Sequence, residues 1–212
     1  MRSGNKIFLV LFLLMAAVRP VQAESSAFCE KLRAVWGSVE NYRCTYDAKT
    51  FHEGKFSENV MEYLFKKPGK IRMNIRRPRP GAVLIYNPQK SALVQVRPFP
   101  SLKFLVLKFK LTDPKVSADG GGTVDQSDLG HRTETLCTLI ENGGALYSED
   151  EKVVTIPVQE NGKPRLKKFT LNGENLIAKI ELTDLQGKVL ESFSWDNLVV
   201  NGKIDDASFT EF

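Results

Sequence analysis

From Lys70 to Arg77 the chain places Ile71, Met73 and Ile75 on one side of an extended segment and Lys70, Arg72, Asn74 and Arg76 on the other. That two-residue period belongs to a strand with one dry face and one wet face. Similar patterning predicts strands near 42 to 52, 58 to 67, 70 to 77, 82 to 87, 91 to 97 and 103 to 111. Turn-forming His52-Glu53-Gly54, Lys67-Pro68-Gly69, Arg79-Pro80-Gly81, Asn87-Pro88 and Phe99-Pro100-Ser101 separate them. Connections this short join antiparallel neighbours, because a parallel crossover needs about a dozen residues or more.

Two stretches carry the helical period instead. Over residues 26 to 41, Phe28, Leu32, Val35, Trp36 and Val39 share one face, and Ser25 or Ser26 is positioned to cap it. A second helix starts at Ser127 or Asp128 and runs to about Glu141, with Leu129, Leu136, Leu139 and Ile140 as its apolar residues. The loop before it, opened by Asp113-Pro114 and holding Gly120-Gly121-Gly122, reads as a mobile connector to a helix that can move. It is not a phosphate-binding loop, because no Gly-Lys-Ser/Thr follows the glycines. Further strands are expected at 145 to 148, 152 to 159, 166 to 172, 175 to 183, 188 to 196 and, briefly, 208 to 212, with Asp184 to Gly187 as a tight hairpin. A sheet of this many strands must curl, so one apolar face lines a concavity that the two helices are available to cover.

Arg2 and Lys6 precede an apolar run from Ile7 to Val18, and Val21-Gln22-Ala23 offers the small residues a signal peptidase accepts. Residues 1 to 23 are therefore expected to be a cleaved export signal, leaving 24 to 212 as one soluble domain outside the cytoplasm. Of 30 basic residues, Arg2, Lys6 and Arg19 fall in that segment, so the mature chain carries 27 against 25 acidic ones. Nucleic-acid binding concentrates far more positive charge, and none is expected here. What is left is a local cluster of Lys66, Lys67, Lys70, Arg72, Arg76, Arg77 and Arg79, either a solvated strand face or a surface for an anionic membrane or partner.

The chain has three cysteines. Cys29 shares a helical face with Leu32, and Cys44 starts the following strand, so a bridge between them is reasonable. It would stabilise by about 3 kcal/mol through loop closure. Three buried free thiols fit the sequence equally well.

Catalytic signatures are missing. The two histidines, His52 and His131, have neither metal-ligand spacing nor a carboxylate triad, and no Gly-x-Ser-x-Gly elbow occurs. The acidic runs Glu149-Asp150-Glu151 and Asp205-Asp206 sit in turn-like contexts that solvation explains. A binding protein is expected, with no enzyme activity, cofactor, nucleotide or metal.

Tyr63 to Met73, through Lys67-Pro68-Gly69-Lys70, followed by Pro78 and an apolar strand ending in Tyr86-Asn87-Pro88, resembles the LolA-like periplasmic lipoprotein carriers and their outer-membrane lipoprotein-sorting relatives. Lys168 to Leu171, Ile180-Glu181-Leu182, Asp184 to Gly187, Asn197, Asn201 and Phe209 to Phe212 resemble that family's closing strands in order. The resemblance implies an α+β fold: a strongly curved antiparallel sheet forming an incomplete β-barrel, or half-barrel, with helices as a lid over an apolar cavity that receives acyl chains. It implies a monomeric periplasmic shuttle between an inner-membrane donor and an outer-membrane acceptor, with peripheral membrane contact conceivable. In such carriers an arginine before the Pro-Gly turn is associated with holding the lid shut; here that position is Lys67, which lacks the planar fork of donors. The carriers' Pro-x-Gly-Val extension is also missing after Phe212, which puts hand-off to a specific receptor in question.

Strand parity gives candidate lining residues independently. Met61, Tyr63 and Phe65 share a face with Ile71, Met73 and Ile75, continued by Val94 and Val96 and then by Leu105, Leu107 and Phe109. The lid candidates are Lys67, Leu129, Leu136 and Ile140. Burying about fifteen methylenes at ~0.8 kcal/mol each gives a gross gain near 12 kcal/mol, ample for solubilising one acyl chain. The competing reading is a cell-envelope lipid-sensing or interaction module that contacts a membrane regulator through the same half-barrel.

Overall fold

The computed structural model describes residues 21–52, 55–117 and 122–212. The export signal read over residues 1 to 23 lies outside them, apart from the backbone of its last three residues, and so does most of the glycine triplet.

Helix α1 (Val21–Gly37) leads into six strands: β1 (Asn41–His52), β2 (Lys55–Lys66), β3 (Lys70–Arg77), β4 (Val83–Tyr86), β5 (Leu93–Arg97) and β6 (Leu107–Lys110). Two single 3-10 turns, Pro114–Val116 and Val124–Gln126, precede helix α2 (Leu129–Glu141). Strands β7 (Leu146–Tyr147), β8 (Val153–Glu160), β9 (Lys163–Leu171), β10 (Ile177–Thr183) and β11 (Val189–Val200) follow, and a last 3-10 turn spans Asp206–Phe209. All eleven strands form one sheet in the order β6-β5-β4-β3-β2-β1-β11-β10-β9-β8-β7. Two antiparallel meanders thus meet where β1 pairs with β11, and the edge strands β6 and β7 stay apart, so the curled sheet does not close. The fold is the α+β open sheet with two helices that the patterning predicts.

The first helix already runs from Val21, so Ser25 and Ser26 lie within it and do not cap it, and three element bounds also need correction. The first helix ends at Gly37, short of residue 41, because the Asn201 amide accepts from Glu40 N–H and donates to Ser38 O, drawing the chain into β1. The strand expected at 103 to 111 is confined to Leu107–Lys110, since residues 99 to 105 turn through Leu102 N–H to Phe99 O and Leu105 N–H to Leu102 O bonds. The terminal strand at 208 to 212 is replaced by a 3-10 turn capped by Asp205, whose carboxylate accepts from Ala207 N–H.

Register aligns the inner-face residues into rows. Tyr42, Phe65, Ile71 and Tyr86 form one; Cys44, Tyr63, Met73, Leu84 and Val96 the next; Tyr46, Met61 and Ile75 a third. The first row is filled by the protein itself: the Trp36 ring lies 5.5 Å from that of Phe65, and Tyr42 stacks on Phe65 at 5.2 Å and on Tyr63 at 5.8 Å. The helices belong to the same core, in which Leu129, Leu136 and Ile140 of α2 join Phe28 and Leu32 of α1 and Val154, Phe169 and Ile180 of the second meander. Arg33 of α1 also reaches Glu134 and Glu141 of α2, at 3.0 and 3.3 Å. Exposed pairs of this kind stabilise by about 1 kcal/mol at most, so the buried apolar seam holds the helices.

Of the two cysteine readings left open by the sequence, the structure has the unbridged one: all three thiols are free and buried. Cys29 lies where α1 meets α2, with its carbonyl 4.0 Å from Cys137 Sγ, whereas Cys44 sits on β1 opposite Tyr63. Burial pushes all three thiols up from their ordinary pKa, leaving little thiolate to react. The folded protein is expected to resist iodoacetamide, and the denatured, unreduced chain to take up three carbamidomethyl groups by mass. Uptake of only one would mean that a bridge exists.

The outer face of β3 is occupied by the chain's own end. Lys66 and Lys70 each lie 3.0 Å from the Asp206 carboxylate, Arg72 donates to the carbonyls of Ser208 and Glu211, and Phe209 is 1% exposed. Lys66, Lys70 and Arg72 of the basic cluster are thereby satisfied within the fold.

Candidate functional site

Two of the inner-face rows are not filled by the helices. Against them lies a cavity of about 300 Å³. Its wall is Tyr46, Met61, Tyr63, Met73, Ile75 and Leu84, with Val96 beyond. Alternation explains the wall: every second residue of β2 and β3 must face inward, and the antiparallel register sets Met61 beside Ile75 and Tyr63 beside Met73.

The roof is a loop. Val116 (4% exposed) and Val124 (1%), from the two 3-10 turns between β6 and α2, close over the wall together with Ser127. The Asp113 carboxylate accepts from Lys115 N–H and shapes the first turn. At the second, the Ser127 hydroxyl donates to Val124 O and lies 2.8 Å from the Tyr63 hydroxyl, tying roof to wall. Burial pushes the Tyr63 phenol well above its ordinary pKa, so this contact stays neutral. The next residue, Asp128, caps α2 by accepting from Gly130 and His131 N–H, and burial raises its carboxyl pKa despite those bonds.

The rim is formed by Pro78, Arg79, Pro98, Lys115 and Ser117. Pro78, Arg79, Lys115 and Ser117 are exposed, so the cavity meets solvent there. Gly81, at φ +82°, lets the β3–β4 turn fold flat against Pro100, where a side chain would collide. Among the described residues no carboxylate borders the cavity, and no three His, Cys, Asp or Glu side chains gather to hold a metal.

Of the residues anticipated as lining, Met61, Tyr63, Met73, Ile75 and Val96 border the cavity. Phe65, Ile71 and Val94 lie in the filled core, and Leu107 and Phe109 continue the rows onto the edge strand without bordering the cavity. Leu105 falls in the turn before that strand. Leu129, Leu136 and Ile140 are buried where α2 plugs the concavity, beside the cavity and not over it. Lys67 donates to Trp36 O (3.2 Å) and Gly37 O (3.0 Å), clamping the end of α1 while its ammonium lies over the Trp36 ring. Sequence reasoning missed the roof, since Val116 and Val124 are isolated apolar residues in a polar loop and carry no period.

The meander also sends the β1–β2, β3–β4, β5–β6 and β10–β11 turns to one end of the sheet. Exposed Phe51, Phe56, Phe99, Leu102, Phe104 and Leu185 fringe that end, Phe104 at 86%. The Pro78, Arg79 and Pro98 part of the rim belongs to it as well.

No family profile and no curated protein matches the chain. Among solved structures, an uncharacterized conserved protein from Thermus thermophilus is similar at 8% identity and a TM-score of 0.49, over 89% of this chain and 94% of that one. A LolA superfamily protein from Nitrosomonas europaea is similar at 10% identity and a TM-score of 0.43, over 88% and 97%. The lipoprotein LppX of Mycobacterium tuberculosis is similar at 8% identity and a TM-score of 0.42, over 85% and 98%. With so few identical residues and TM-scores this modest, these likenesses say nothing about what the chain binds.

Proposed function

We propose that the chain binds the acyl chain of a lipid or lipoprotein in this cavity and acts as a periplasmic carrier towards the outer membrane, without covalent chemistry. The observation that carries the reading is an apolar cavity on the inner face of an open sheet, roofed by a loop and not by a helix. About 300 Å³ is at the lower end of small-ligand sites. It holds about ten water-sized groups at ~30 Å³ each, hence a stretch of one acyl chain. Displacing such groups from water at ~0.8 kcal/mol per methylene offsets the cost of ordering them.

The fringe of exposed Phe and Leu side chains beside the rim suits brief contact with a bilayer during loading or delivery. The basic face of β3 suits a protein partner less well, because Asp206 and the carbonyls of Ser208 and Glu211 already engage Lys70 and Arg72. The carrier reading is therefore preferred to the sensor.

Native mass spectrometry of the purified mature protein, followed by titration with a fluorescent fatty acid, tests the proposal. Binding is expected, and Met73→Trp, which fills the cavity, is expected to weaken it at least about tenfold while costing about 1 to 3 kcal/mol of stability. A protein that ignores acyl probes, or a folded Met73→Trp variant that binds as before, overturns it.

A further inference from the structure

We infer that the ligand is a single-chain amphiphile with an anionic head, its tail against Met61, Met73 and Ile75 and its head between Arg79 and Lys115. The inference rests on the acyl-binding reading and narrows it in chain number and in charge.

Volume sets the chain number. A space of about 300 Å³ is filled by about ten methylene-sized groups, taking each as comparable to a water molecule at ~30 Å³. That is most of one medium-length chain. A diacyl or triacyl lipid would leave its further chains in water.

Charge sets the head. Among the described residues, Arg79 and Lys115 are the charged ones bordering the cavity, and both are cations on its exposed rim. They come from separate elements, the β3–β4 turn and the first 3-10 turn of the roof, and both border the same cavity. Among the described residues neither has a carboxylate partner, whereas Lys49, Lys66, Lys70 and Arg77 each do. The acidic side chain nearest in sequence, Asp113, already has a carboxylate oxygen engaged by Lys115 N–H. The Lys115 ammonium stands 5.8 Å from the Phe109 ring centre, near apolar surface. Two cations at the end of an apolar slot, neither with a carboxylate partner among the described residues, offer charge-assisted hydrogen bonds to a carboxylate or phosphate, Arg79 through two parallel donors. A cationic head would be repelled there. A neutral alcohol would gain the slot without the charge.

A free fatty acid and a lyso-phospholipid share this chemistry, and the probes separate them. Calorimetric titration of the mature protein at low salt, each probe below its micellar concentration, compares dodecanoate, dodecyl phosphate, dodecanol and dodecyltrimethylammonium. Both anions are expected to bind at least about tenfold tighter than dodecanol, the usual scale of a charged hydrogen-bond pair, and the ammonium more weakly still. The tighter of the two anions identifies the source. The anionic preference should shrink in high salt, and affinity along an alkanoate series should stop rising past about ten to twelve carbons. In the Arg79→Glu/Lys115→Glu protein, with folding checked by circular dichroism, dodecyltrimethylammonium should overtake dodecanoate. Equal binding of dodecanol and dodecanoate by the wild type, or an unchanged order in the charge-reversed protein, overturns the head-group inference and leaves acyl binding standing. Binding of none of the probes overturns both.

Discussion

Phe209→Ala is expected to lower the unfolding free energy by about 3 to 5 kcal/mol, the range for deleting a fully buried aromatic ring. Phe209 is far from the cavity, near the end of the chain, yet it is 1% exposed. Its burial fixes the last 3-10 turn on the outer face of β3 and β4, where Asn87 donates to Phe209 O at 3.4 Å and Arg72 to Ser208 O at 2.9 Å. Burial already lowers the Arg72 guanidinium pKa, so a loosened tail would also leave a partly desolvated cation short of acceptors. For a domain of this size each kcal/mol moves the melting temperature by about 2 to 4 °C, so a drop of about 10 °C is the reading to look for in a thermal scan. Phe209→Leu should recover most of it. A loss below about 0.5 kcal/mol, the scale of ordinary surface substitutions, would mean that the tail is not anchored by its ring.

The same segment marks where sequence reasoning stops. Strands with one wet face were legible because a period of two fixes which side chains share a face: Met61, Tyr63 and Phe65 do align with Ile75, Met73 and Ile71. The residues that fill a concavity were not legible, because that depends on where distant elements land. Phe65 and Ile71 looked like lining as much as Met61 and Ile75 did, but Trp36 arrives at the end of α1 and fills their row. The Asp205-Asp206 pair looked merely solvated, yet Asp205 caps the final turn and the Asp206 carboxyl is held below its usual range by Lys70 and Lys66. Register places Lys167 opposite Ile156 and Leu182, and burial lowers its pKa. The inner face of the second meander is therefore less oily than alternation alone implies, and the apolar cavity falls in the first.

That placement makes the packing at the end of α1 a sensitive point, and Gly130 is where it can be tested. In an exposed helix Gly→Ala gains about 1 kcal/mol. At Gly130 the new methyl would collide with Trp36 Cε2 and Nε1. Phe65 lies 5.5 Å from the indole, Tyr42 6.3 Å, and the Lys67 ammonium 5.3 Å from its centre, so swinging the ring into the open groove it borders with Pro68 and His131 would give up those contacts. Gly130→Ala is therefore expected to destabilise by about 1 to 3 kcal/mol, as overpacking does elsewhere. Removing the obstacle reverses the sign. Trp36→Ala alone should cost about 3 kcal/mol, but in that background Gly130→Ala should stabilise by about 1 kcal/mol. The coupling between the two sites then amounts to about 2 to 4 kcal/mol, within reach of a double-mutant cycle in urea. If Gly130→Ala stabilises the wild type, the close approach of α2 to Trp36 is wrong, and so is the account of why the row holding Phe65 and Ile71 is full while the rows beside it keep their cavity.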